Sequence, residues 1–186
     1  MRHDHLTTPD GTRLAYRVHS PTRRAPAQPP VLLLHGLAGP MAEWDALTEH
    51  LLQAGHEVIA YDARGHGAST RRPPTMTRSA CVSDAVTLLN HLSLAPATLI
   101  GQSLGGHTAL LTAAAHPDSV SSLILIEAGP GGPNPTLPTQ ITTWLNSWPA
   151  PSPPSRKRRP SWATRPGREA WSSGRTAGTP ASTPPE

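Results

Sequence analysis

Residues 97–106 read Ala97-Thr98-Leu99-Ile100-Gly101-Gln102-Ser103-Leu104-Gly105-Gly106, an apolar run that passes through a glycine-flanked serine into an alanine-rich stretch. The apolar run suits a strand buried on both faces of a parallel sheet. Residues 104–115 read as a helix that His116 and Pro117 terminate. A serine at that junction sits on a strand-to-helix turn and must adopt a strained backbone, while glycines two residues to either side let neighbouring segments approach without a Cβ clash. The turn projects the Ser103 hydroxyl above the carboxyl edge of the sheet. The helix then directs free N–H groups and its positive end toward a developing oxyanion. Ser103 is therefore the candidate nucleophile, on an elbow comprising Gly101, Gln102 and Gly105. The bland alternative is a plain Gly-Ser turn.

Working outward, three further apolar runs share the character of 97–100, at 31–34, 58–61 and 123–126. Segments of helical period lie between them: Trp44, Leu47, Leu51 and Leu52 recur on one face, as do Val82, Ala85, Val86 and Leu89. Before the first run, Leu14, Tyr16 and Val18 alternate with Arg13, Ala15 and Arg17 behind a Pro9-Asp10-Gly11 turn, the pattern of the second strand of a hairpin. Strands alternating with helices predict an α/β fold with parallel central strands.

Two more loops leave these strands carrying chemistry-bearing residues. Leu34-His35-Gly36-Leu37-Ala38-Gly39 follows the first run, where a backbone N–H can complete a two-donor oxyanion hole. The donors are assigned to the N–H groups of Leu37 and Leu104, and His35 is read as a structural hydrogen-bonder rather than a base. Tyr61-Asp62-Ala63-Arg64-Gly65-His66-Gly67-Ala68-Ser69 follows the next run. Its acid, base and glycines fit acid–base work, but they also fit a self-hydrogen-bonded turn, and the structural role is favoured.

In this order and at these spacings, LLLHGLAG, YDARGHGAS and GQSLGG resemble the α/β-hydrolase superfamily over roughly residues 5–148. The resemblance implies that the motifs follow the fold's third, fourth and fifth strands, that Ser103 is the nucleophile, and that residues 62–67 form a scaffold loop. Serine rather than aspartate in the elbow implies acyl transfer on an ester, amide or thioester, with a small-molecule acyl substrate and no cofactor. It argues against the epoxide hydrolases and haloalkane dehalogenases of the superfamily.

The same resemblance implies an acid after the seventh or sixth strand and a histidine after the eighth. All ten histidines lie at or before His116. Glu127, at the end of the run 123–126, is a candidate acid of the rarer kind or an anchor for the Gly129-Pro130-Gly131-Gly132 loop. His107 lies one turn beyond Ser103, past the elbow, and recruiting His35 or His66 would depart from the family. The expected fold is thus an incomplete α/β-hydrolase: a core over 1–132 with strands one to six, the start of a lid over 133–148, and strands seven and eight missing. The expectations that follow are weak activity and an unpaired sheet edge prone to self-association.

Composition divides at the same place. Residues 149–186 hold nine prolines and seven basic residues against two acids and contain no Val, Ile, Leu or Met, whereas residues 1–148 carry nine basic and ten acidic groups. The tail reads as disordered and basic, as a frameshifted reading of a GC-rich gene would. The rival reading of the whole chain is a non-catalytic fragment or interaction protein whose Arg156-Lys157-Arg158-Arg159 cluster binds acidic surfaces or nucleic acid. With no recognition fold around it, no specific nucleic acid is expected. One cysteine, Cys81, excludes an internal disulfide and suits a reducing compartment. No long apolar run suggests a membrane span or signal peptide, and no ligand spacing suggests a metal, so a cytoplasmic protein is expected.

Overall fold

The structure is a computed structural model that describes residues 1–23, 28–128 and 134–148. The expected disordered tail at 149–186 and the glycine-rich loop at 129–132 lie outside the described residues. The chain divides into two units, Met1–Asn134 and Pro135–Glu186.

The first unit is built on a six-stranded mixed sheet in the order β1-β2-β4-β3-β5-β6. Strands β1 (Arg2–Thr7) and β2 (Arg13–His19) form the amino-terminal hairpin, with Leu6 opposite Leu14. Its turn is closed by the Thr8 N–H donating to the Thr12 carbonyl at 2.8 Å, with Gly11 at φ +83°. The remaining strands are β3 (Val31–Leu34), β4 (Val58–Tyr61), β5 (Ala97–Gln102) and β6 (Val120–Ile126). β2 meets β4 antiparallel, whereas the pairs β3–β4, β3–β5 and β5–β6 are parallel.

Every residue of β3 and β4 is buried, which is why their sequences run apolar without alternation. On one face Leu32, Leu34, Ile59, Tyr61 and Leu99 pack against Ala85, Leu88 and Leu89 of α2 (Arg78–Leu92) and Ala109 of α3 (Leu104–Ala115). On the other, Val31, Leu33, Val58, Ala60 and Ile100 pack against Met41 and Trp44 of a 3-10 turn (Met41–Trp44), with Leu47, Leu51 and Leu52 of α1 (Asp45–Gln53) half-buried beside them. β6 differs. Leu123 and Leu125 join the first cluster, but Ile124 and Ile126 are 48% and 39% exposed, so this strand buries one face among the described residues.

From β3 the chain moves to β4 on one side and then crosses to β5 on the other. The reversal opens a crevice beyond the carboxyl ends of β3 and β5, the place where open α/β sheets bind ligands. Leu34 is level with Gly101, so the loops that begin at His35 and Ser103 leave the sheet side by side.

The loop after β4 fastens this frame. Arg64, 2% exposed, donates from Nε and Nη2 to the two carboxylate oxygens of Asp84 on α2 at 2.7 and 2.6 Å. Its Nη1 reaches Asp10 of the hairpin turn at 2.9 Å and the Thr75 carbonyl at 2.9 Å. The hydrogen bonds it donates to Asp84 raise the Arg64 pKa above its ordinary value. Burial pushes the Asp84 carboxyl up while Arg64 pulls it back, so the pair holds only as a pair.

In the second unit, the described residues contain helix α4 (Leu137–Asn146), which carries Pro138 in its first turn. Trp144 and Trp148 meet edge to face with ring centroids 4.6 Å apart.

Asp84→Ala leaves a buried guanidinium without its main partner and is expected to lower unfolding free energy by about 3–5 kcal/mol. The double change Arg64→Met with Asp84→Leu should recover most of that loss, as urea denaturation of the three proteins would read directly.

Candidate active site

Ser103 occupies the junction between β5 and α3 with φ +49° and ψ −112°, a region L-residues avoid at a cost on the order of 1–3 kcal/mol. Surrounding structure imposes it. The Ser103 N–H is tied to the Ile126 carbonyl of β6 at 2.9 Å, and its own carbonyl accepts from His107 N–H at 3.0 Å as α3 begins. Room for the turn depends on two glycines. A Cβ at Gly101 would sit 2.5 Å from the Gly105 carbonyl oxygen, and one at Gly105 would run into the Leu34 and His35 carbonyls at the end of β3. Backbone atoms cannot yield as a flexible side chain does. The Ser103 side chain is exposed, and its hydroxyl has no partner among the described residues.

The loop after β3 lies alongside. A turn from Gly36 to Gly39 is closed by the Gly39 N–H donating to the Gly36 carbonyl at 3.1 Å, with Ala38 at φ +64°. The Gly36 N–H donates to Glu43 Oε1 at 3.2 Å. Neither the Leu37 nor the Leu104 N–H donates to another described group, as candidate oxyanion donors require. Gln102 lies across this loop, its carboxamide oxygen against Gly36, and its Nε2 donates to Glu127 Oε2 at 3.1 Å.

Several ionisable residues are fully engaged elsewhere. His35 is buried, donates from Nδ1 to the Gly36 carbonyl at 2.8 Å and accepts the Ala63 N–H on Nε2 at 2.9 Å. Both ring nitrogens are therefore taken in the neutral form, and burial pushes its pKa below the ordinary 6.5. His66 donates from Nδ1 to the Arg64 carbonyl at 2.9 Å and stands edge to face with His35, ring centroids 5.0 Å apart. Asp62 accepts the Met41 N–H at 2.7 Å and the Ala68 N–H at 2.8 Å. Residues 62–69 thus form a hydrogen-bonded scaffold. The Nδ1 of His107 is buried without a partner. Glu127, exposed and at φ +49°, ends β6 beside Gln102. Among the described residues no three His, Cys, Asp or Glu side chains gather as a metal site would need, and no helix is long and apolar enough to cross a membrane.

Glu43 escaped the sequence reading. It stands seven residues from the glycine whose N–H it holds, a separation at which no local motif signals contact. Only the folding of the 3-10 turn against the sheet brings them together.

A β-sheet of this order, with a strained serine on the turn after β5, defines a class of α/β enzyme fold. The model of the alpha/beta hydrolase fold matches residues 29–168, and the chain belongs to that family. Mouse sn-1-specific diacylglycerol lipase ABHD11 is 37% identical over 108 residues, 58% of this chain and 35% of that protein. A hydrolase from Pseudomonas aeruginosa superposes with a TM-score of 0.65 at 31% identity over 78% of this chain and 53% of its own. A structure reported among carboxylesterases of Nitrososphaera gargenis gives 0.67 at 29% identity over 75% and 51%. The chain spans about a third of the length of the curated relative and about half that of the solved structures.

Two measurements check this geometry. Ser103→Gly removes the backbone penalty and should raise unfolding free energy by about 1 kcal/mol, whereas Ser103→Ala should leave it within about 0.5 kcal/mol. His35 binds its proton more weakly folded than unfolded, so its contribution is full above the unfolded value of 6.5 and is lost as pH falls below it. The denaturation midpoint should therefore drop on acidification through that range, and less steeply in His35→Gln.

Proposed function

We propose that the chain is the nucleophile-bearing part of a serine acyl hydrolase acting on small carboxylic esters or related acyl compounds. The observation that carries this reading is the strained Ser103 backbone at the switch point, with an exposed hydroxyl that has no partner among the described residues. Strain at such a position is maintained where chemistry uses it. The Ser103 oxygen attacks the acyl carbonyl carbon and gives up its proton to solvent water, which returns one to the leaving oxygen. The carbonyl oxygen, now an anion, accepts hydrogen bonds from the Leu37 and Leu104 N–H groups. Collapse breaks the bond to the leaving oxygen, which departs protonated, and water then hydrolyses the acyl-enzyme by the same steps.

A lipase and carboxylesterases among the relatives support esters as a substrate class. Residues 133–148 are proposed as the start of a lid region that follows a core over residues 1–132. The single cysteine of the sequence, Cys81, suits a reducing compartment such as the cytoplasm. The described residues place no partner on the Ser103 hydroxyl, and His35 is spent on its own loop. Turnover is accordingly proposed to be slow, since loss of the base in such sites costs thousands-fold or more.

A fluorophosphonate probe tests the proposal. Stoichiometric labelling, about a thousandfold or more slower than that of a complete triad and abolished in Ser103→Ala, is expected. Labelling that survives Ser103→Ala, or none in the folded protein, would sink it.

A further inference from the structure

Around Gly36 two successive peptide groups are pinned by different partners. The Gly36 carbonyl accepts from His35 Nδ1–H at 2.8 Å and from the Gly39 N–H at 3.1 Å. Because a trans peptide is planar, fixing that carbonyl fixes the Leu37 N–H on the opposite side of the same plane. The peptide before it, ending in the Gly36 N–H, is joined to this plane only through glycine's two soft dihedrals. Its one hydrogen bond is to Glu43 Oε1, at 3.2 Å, and Glu43 Oε2 lies in the space that a Gly39 Cβ would fill. Gln102 closes the other side of Gly36.

Glu43 itself stands on a firm base. It belongs to the 3-10 turn Met41–Trp44, whose two end residues are each 7% exposed in the second core cluster. The Met41 N–H is held by Asp62 at 2.7 Å, and Asp62 is buried in the scaffold loop after β4. A line of contacts thus runs from the β4 loop through the 3-10 turn to the peptide that precedes the oxyanion donor. Glu43 is the one exposed member of that line, so it adds little to core packing.

We propose that Glu43 is a positioning residue: its carboxylate holds the Gly36 N–H and so fixes where the Gly36 backbone stands, from which the Leu37 N–H, oriented by the bonds to the Gly36 carbonyl, meets the oxyanion. This rests on the reading of Leu37 as an oxyanion donor and of Ser103 as nucleophile. The acceptor oxygen is what matters, not the charge, so glutamine serves in its place and alanine does not.

The full chain, Glu43→Ala and Glu43→Gln are compared by amide hydrogen exchange at Gly36 and by the rate constant of fluorophosphonate labelling, with urea denaturation alongside. Expected are faster Gly36 exchange and an approximately tenfold or greater loss of labelling rate in Glu43→Ala, both restored to within about threefold in Glu43→Gln, at unchanged unfolding midpoint. Equal exchange in all three proteins overturns the proposal. So does accelerated exchange with undiminished labelling, or a Glu43→Gln protein as impaired as Glu43→Ala. If the wild-type chain takes up no probe, the acyl-hydrolase reading fails by itself, and Gly36 exchange alone decides whether Glu43 holds the loop.

Discussion

The first turn of α3 lies against the last peptide groups of β3 with no room for a methyl group between them. At Gly105 the Leu34 and His35 carbonyls occupy the place of a Cβ, and at Gly101 the obstacle is the backbone of Gly105 and Gly106. Interiors packed at crystal density transmit such a constraint instead of absorbing it. If α3 must start here, the residue joining it to β5 has to reverse direction within one step, and Ser103 takes the strained conformation that does so. The loop after β3 is then brought beside that serine by strand register alone. Everything at the site follows from how closely helix and strand approach.

Arg64 plays a matching part at the sheet's carboxyl edge. One guanidinium joins the hairpin turn, α2 and the β4 loop through Asp10, Asp84 and Thr75. Thr8 and Arg64 hydrogen bonds hold the Asp10 carboxyl well below the usual carboxylate range. The effect is to fix the loop that carries Asp62, and through Asp62 the 3-10 turn. A buried ion pair contributes modestly to net stability, but it specifies one arrangement among many, and here that arrangement bears on the crevice.

Much of the fold was legible because its signals are local. Unalternated apolar runs mark strands covered on both faces, and β3 and β4 are so covered; the hairpin alternation and the helix over 104–115 also appear where the residues predict them. The run 123–126 was legible as a strand, and the absence of strands seven and eight made an unpaired edge beside it an expectation; the fold adds that Ile124 and Ile126 are the residues exposed there. Within the site, the Ser103 turn could be read from the glycines around it. The partners of Arg64 could not: Asp10 and Asp84 are distant in sequence, and nothing near either announces a guanidinium. Glu43 was invisible for the same reason. His35 shows the intermediate case, in which position on the loop suggests a structural imidazole but only the fold shows both nitrogens occupied.

The crossing from β4 back past β3 to β5 also governs when the site can come into being. Leu34 meets Gly101 only after α1, β4 and α2 have been laid down between them, and contacts of such long sequence separation form late because the intervening loop must first be ordered. A chain emerging from the ribosome can build the hairpin and the β3–β4 pair while Ser103 is still in a relaxed backbone. The strained serine is therefore among the last features to appear during folding.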